Sequence, residues 1–140
     1  MSKKWFTIVL ILATVAVAAF FIFRTNATMV SSKIEIELLE YSDSGQSGTA
    51  TLTDEDGKLK VILDLSGYGA DNPQPAHIHT GNCSRIGPVV YALNDVVNNY
   101  SETELSTDLD TLLTGNETLS VNTHASYDDY ATYTSCGDIK

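Results

Sequence analysis

Basic residues are what this 140-residue chain has least of once its first segment is passed. Beyond Arg24 only Lys33, Lys58, Lys60, Arg85 and Lys140 are basic, against all eighteen acidic residues, so this part carries a net charge of −13. Such a surface repels nucleic acid and anionic headgroups, which argues against nucleic-acid binding. It draws cations, metal ions among them, and slows the approach of an anionic substrate. Other signals are missing outright. There is no glycine-rich phosphate loop, and no nucleophile-elbow pattern surrounds Ser84 or Ser126. The acidic runs Asp54-Glu55-Asp56 and Asp128-Asp129 lack the spacing of a calcium loop and read as solvated turns. No internal repeat or low-complexity segment interrupts the chain.

Cysteine is also scarce. Cys83 and Cys136 are the only two, and they form no CxxC pair. An even count in an oxidising compartment argues for one disulfide, closing a loop of roughly fifty residues. The alternative is a pair of free thiols that join a metal site.

Only three histidines exist, and their placement is the strongest signal present. His77-Ile78-His79 puts two imidazoles two residues apart, on one face of a short strand. His124 ends a second strand-like run, Leu119-Ser120-Val121-Asn122-Thr123-His124. Concentrating all the imidazoles at two strand ends points to a three-histidine metal site, and imidazole suits copper and zinc. The competing reading is of ordinary surface or core histidines. Asn122 shares a strand face with His124 and is either a partner that orients it or, as the simpler expectation, an exposed strand residue. Tyr127, Tyr130 and Tyr133, spaced by three, read as packing and rim contacts.

The first segment differs from the rest. Lys3-Lys4 precede nineteen uncharged residues, Trp5 to Phe23, before Arg24. At 1.5 Å per residue this run nearly spans a hydrocarbon core of about 30 Å. Ala16-Val17-Ala18 offers a signal-cleavage site, but Phe20-Phe21-Ile22-Phe23 after it favours an uncleaved anchor. Either way the remainder is expected outside the cytoplasm, with the lysine pair retained inside. The organisation is then an anchor or signal at 1–24, a polar linker at 25–33 and one domain at 34–140. Sequons occur at Asn26, Asn82, Asn99 and Asn116.

The domain is β-rich. Ile34–Leu38 alternates apolar and charged residues; Thr49–Thr53 and Leu59–Leu65 flank a tight turn at Asp54–Gly57. Gly67–Pro75 is a loop that delivers the chain to His77, and Val89–Leu93 is the next strand. Ser106–Gly115 reads as a short helix capped by Ser106 or Thr107 and ended by Gly115. Strands at Leu119–His124 and about Tyr130–Ser135 complete seven or so, which fits a β-sandwich or barrel of Greek-key type.

Several segments have a familiar order. Pro75-Ala76-His77-Ile78-His79-Thr80-Gly81-Asn82-Cys83 is followed by Gly87-Pro88-Val89-Val90-Tyr91-Ala92-Leu93. Leu109 and Leu112-Leu113-Thr114-Gly115 come later, then Val121-Asn122-Thr123-His124-Ala125-Ser126 and Cys136-Gly137-Asp138-Ile139. Over residues 34–139 this resembles the chordin-type (CHRD) domain and the copper/zinc superoxide dismutase-like proteins related to it. The resemblance implies a Greek-key β-sandwich, copper ligands at His77, His79 and His124, and a disulfide between Cys83 and Cys136. It does not extend to the whole dismutase site. No histidine lies between His79 and His124 to serve as the bridging ligand, the zinc ligands are missing, and only Lys140 follows Cys136 where those enzymes carry an arginine.

The expectation is therefore a membrane-tethered, extracytoplasmic copper-binding protein, with zinc the lesser candidate and no residue assigned to catalysis. The alternatives are a copper-only superoxide dismutase and a non-metal structural or interaction module.

Overall fold

The structure, a computed structural model, describes residues 32–68 and 72–140. The anchor expected at 1–24 lies outside the described residues, and among these no helix is long and apolar enough to cross a membrane. Eight strands and one short helix follow one another: β1 (Lys33–Glu40), β2 (Ser47–Glu55), β3 (Lys58–Ser66), β4 (Ala76–Asn82), β5 (Arg85–Ala92), β6 (Tyr100–Leu105), α1 (Leu109–Thr114), β7 (Leu119–His124) and β8 (Tyr133–Asp138).

All eight strands join one curled antiparallel sheet in the order β5-β4-β7-β8-β1-β2-β3-β6. The curl is made in β1. Its residues Lys33–Leu38 pair with β2, whereas Leu39 and Glu40 alone pair with β8, at Cys136 and Ser135. A strand that changes partner along its length lets the two halves face each other, in a sandwich-like arrangement. The enclosed core draws Ile36, Leu38, Leu52, Leu59, Val61 and Leu63 from one half and Ala76, Ile78 and Val121 from the other.

Local chemistry explains the elements. In β3 the residues Leu59, Val61, Leu63 and Leu65 are buried in strict alternation. Asp56 and Gly57, with φ of 51° and 78°, form the two-residue turn between β2 and β3, where both positions need positive φ. The turn is thus narrower than the four residues expected. Asp108, not Ser106 or Thr107, caps α1: its Oδ1 accepts from Thr111 N at 2.6 Å. Asp54 Oδ1 accepts from Leu109 N at 2.7 Å, which ties the helix start to β2. At the far end Gly115 does not adopt the left-handed conformation; the Lys140 ammonium instead donates to the carbonyls of Leu112, Leu113 and Gly115.

Strand β6 was not expected. It buries Ser101, Thr103 and Leu105 and exposes Glu102 and Glu104, so its inward residues are mostly polar and hide the alternation. It is one edge of the sheet, and Lys58 and Lys60 on the neighbouring strand pair with Glu104 and Glu102. The other edge, β5, carries half-exposed Val89 and Val90.

Cys83, in the turn between β4 and β5, is bonded to Cys136 of β8, with Cα atoms 5.8 Å apart and a sequence separation of 53. The reading of free thiols is thereby excluded. The bond clamps the β4–β5 hairpin across β7 to β8, and Cys83 N donates to Asp138 Oδ1 at 2.7 Å beside it. In the chain-entropy picture closing such a loop contributes about 4 kcal/mol. Replacing both cysteines by alanine is therefore expected to lower unfolding free energy by about that amount, read as a fall in the urea midpoint with a slope that rises as the unfolded chain loses its cross-link.

Candidate metal centre

Strands β4 and β7 are buried on both faces. Ala76, Ile78 and Val121 point into the core, so alternation sends His77 and His79 to the opposite face, together with Ser120, Asn122 and His124. That outer face is covered rather than solvated. The chain after β7 returns over it with Tyr130, and Gly87 of the bulged strand β5 approaches it from the side.

The three imidazoles converge there. One nitrogen from each of His77, His79 and His124 lies within 4.8 Å of the others, and all three residues are buried. His77 Nδ1 and His124 Nε2 are 3.0 Å apart. The remaining ring nitrogens have oxygen partners that settle their role. His79 Nδ1 donates to Gly87 O at 2.8 Å, and His124 Nδ1 donates to Tyr130 O at 2.6 Å. A carbonyl only accepts, so each Nε2 keeps its lone pair. His77 Nε2 lies 2.9 Å from the Tyr130 hydroxyl, which can donate or accept.

This hydroxyl gives His77 two usable tautomers. Without a cation, His77 Nδ1 donates to His124 Nε2 and Tyr130 donates to His77 Nε2. With a cation, His77 Nε2 would donate to the Tyr130 hydroxyl and Nδ1 would be free to act as a ligand. The donor set would be His77 Nδ1, His79 Nε2 and His124 Nε2, each ring held through its other nitrogen. His79 Nε2 is buried without a hydrogen-bond partner among the described residues, which fits a nitrogen whose partner is an ion.

Residues 27–128 match the CHRD domain. The chain belongs to this family. No curated protein and no solved structure matches it. The matched span contains all three histidines and Cys83, and stops before Cys136.

The electrostatics of this CHRD domain keep the site receptive to a cation. Burial, with His124 and His79 close by, pushes the pKa of His77 down to about 4, against a weaker opposing pull from Asp95. Burial also lowers the pKa of His124, although its bond to the Tyr130 carbonyl works the other way. At neutral pH both imidazoles are thus uncharged, the form that binds metal.

The sequence reading brought the three histidines together correctly but missed what surrounds them. Tyr130 stacks on His124 with ring centroids 4.2 Å apart and is 42% exposed, so it roofs the site on its solvent side. Tyr133 packs at 4.7 Å from the His124 ring. Tyr127 lies farther out and donates to Asp95. The three-residue tyrosine spacing was the available signal, and only the fold shows which of them meet imidazole. Asn122, expected as an exposed strand residue, is fully buried, paired across the sheet with His77 on one side and Cys136 on the other.

The shifts fix a pH dependence. Unfolded His77 takes up a proton near pH 6.5, whereas the folded state refuses it until about pH 4. The stability linked to this group is thus complete above 6.5 and lost as pH falls through 4, at up to about 1.4 kcal/mol per pH unit. Urea unfolding of the metal-free chain between pH 7.5 and 4 should show a steeper loss than in a His77→Gln variant, which has no such titration.

Proposed function

We propose that this chain is a copper-binding protein whose ion is held by His77, His79 and His124, in a domain tethered to the membrane and displayed outside the cytoplasm. The observation that carries this reading is the convergence of three buried nitrogens within 4.8 Å, each on a ring whose other nitrogen already has an oxygen partner. Such rings are oriented before an ion arrives, so little side-chain freedom is lost on binding. A neutral, all-imidazole set suits copper and zinc, and the general affinity order puts copper(II) above zinc. The net charge of −13 beyond Arg24 favours cation capture. Tethering rests on the uncharged run from Trp5 to Phe23 behind Lys3-Lys4, and the location on the Cys83–Cys136 bond, which persists in oxidising compartments.

A second reading is a copper-only superoxide dismutase. Two features favour it. The curled sheet with β4 beside β7 and β8 beside β1 is consistent with the Greek-key sandwich of dismutase-like proteins, and the half-exposed Tyr130 leaves a way in for a small molecule. The acidic surface opposes it, because it slows capture of an anion. Bound copper would supply the one-electron chemistry; the chain's own part is to orient the rings and roof the site with Tyr130.

The test is metal uptake by the purified full-length chain. We expect one copper per chain by elemental analysis, and loss of stoichiometric binding in His77→Gln, His79→Gln and His124→Gln variants whose circular dichroism is unchanged. No uptake by a folded chain overturns both copper readings and leaves an interaction module. Superoxide turnover by the loaded protein separates the second reading from the first.

A further inference from the structure

The floor of the histidine cluster holds a second set of polar groups. The β4–β7 register pairs His77 with Asn122 and His79 with Ser120, while His124 lies one step beyond, where its N–H meets Pro75 O. His124 nevertheless reaches His77, and its ring centroid is 6.0 Å from that of His79. The register step that pairs His77 with Asn122 lies between the steps of His79 and His124. Asn122, on the same outer face, has no exposed surface.

The Asn122 side chain is unusual in a second way. Both Oδ1 and Nδ2 are buried without a hydrogen-bond partner among the described residues, as is Ser120 Oγ. A buried amide with neither end satisfied bears the desolvation cost of both its oxygen and its nitrogen. Valine would fill the space without that cost, and an ion held by the imidazoles on the same strand face would give the amide oxygen a partner. We propose that Asn122 is a fourth ligand of the metal, its amide oxygen meeting the ion from the strand side as a weak donor beneath the three imidazoles. This rests on the three-histidine copper reading and deepens it. An amide oxygen is a hard, neutral donor, so it favours copper(II) over copper(I).

The experiment compares full-length wild type with Asn122→Val and Asn122→Asp, each loaded with copper. Copper(I) and copper(II) affinities are measured by competition with chromophoric chelators, and the copper(II) form is recorded by electron paramagnetic resonance. Asn122→Val is expected to keep one copper, to lose about tenfold in copper(II) affinity with copper(I) affinity held within about twofold, and to change the resonance spectrum. Asn122→Asp, nearly isosteric and anionic, is expected to shift the ratio about tenfold towards copper(II). An unchanged copper(II)/copper(I) ratio and spectrum in either folded variant overturns the proposal while the three-histidine site stands. Absence of copper from wild type overturns both together. Should the valine variant not fold, the aspartate variant alone decides by the same ratio.

Discussion

A β-strand has two faces, and in most antiparallel sheets water takes one of them. Strands β4 and β7 give neither to water, and the rest of the domain is arranged around that constraint. Their inner residues, Ile78 and Val121, are ordinary core. Their outer residues are His77, His79, Ser120, Asn122 and His124, and a buried polar face must find partners in the protein or in a ligand. The bulges in β5, which bring Gly87 O to His79, and the return of the chain from β7 to β8, which brings Tyr130, are the means by which those partners arrive.

Backbone placement of His124 depends on a second buried network. Gln46 and Gln74 exchange hydrogen bonds through their amides, and Gln74 Nε2 also donates to His124 O at 3.1 Å. Thr123 Oγ1 donates to Gln46 Oε1 and lies 2.8 Å from the hydroxyls of Thr134 and Ser135. Because these groups satisfy one another, the strand end carrying the third imidazole is fixed from the core side as firmly as from the outer side. Loss of one amide would leave the others unpaired, which is costly in a dry interior.

Much of this was legible in the sequence where side-chain chemistry and period agree. The alternation of β3, the His-x-His of β4 and the run ending at His124 all announce themselves, and the pairing of Cys83 with Cys136 follows from count and resemblance. The unread parts share a cause: polar residues doing what apolar ones usually do. Ser101 and Thr103 face inward in β6, Gln46 and Gln74 lie buried in loop-like sequence, and Asn122 is buried on the outer face of β7. Hydropathy cannot distinguish such residues from exposed ones, since only the partners that tertiary structure supplies make their burial tolerable. The helix cap failed for a local reason. Ser106, Thr107 and Asp108 are all competent, and the contact of Asp54 with Leu109 N selects where the helix begins.

The two edges of the sheet have a consequence for assembly. The β6 edge is guarded by Glu102 and Glu104, whereas β5 presents Val89 and Val90. A molecule with two open edges has a valence of two and can grow into a fibre. With one open edge the valence is one. Two copies that met along β5 would leave only β6 edges outward, so association there closes at a pair and cannot propagate.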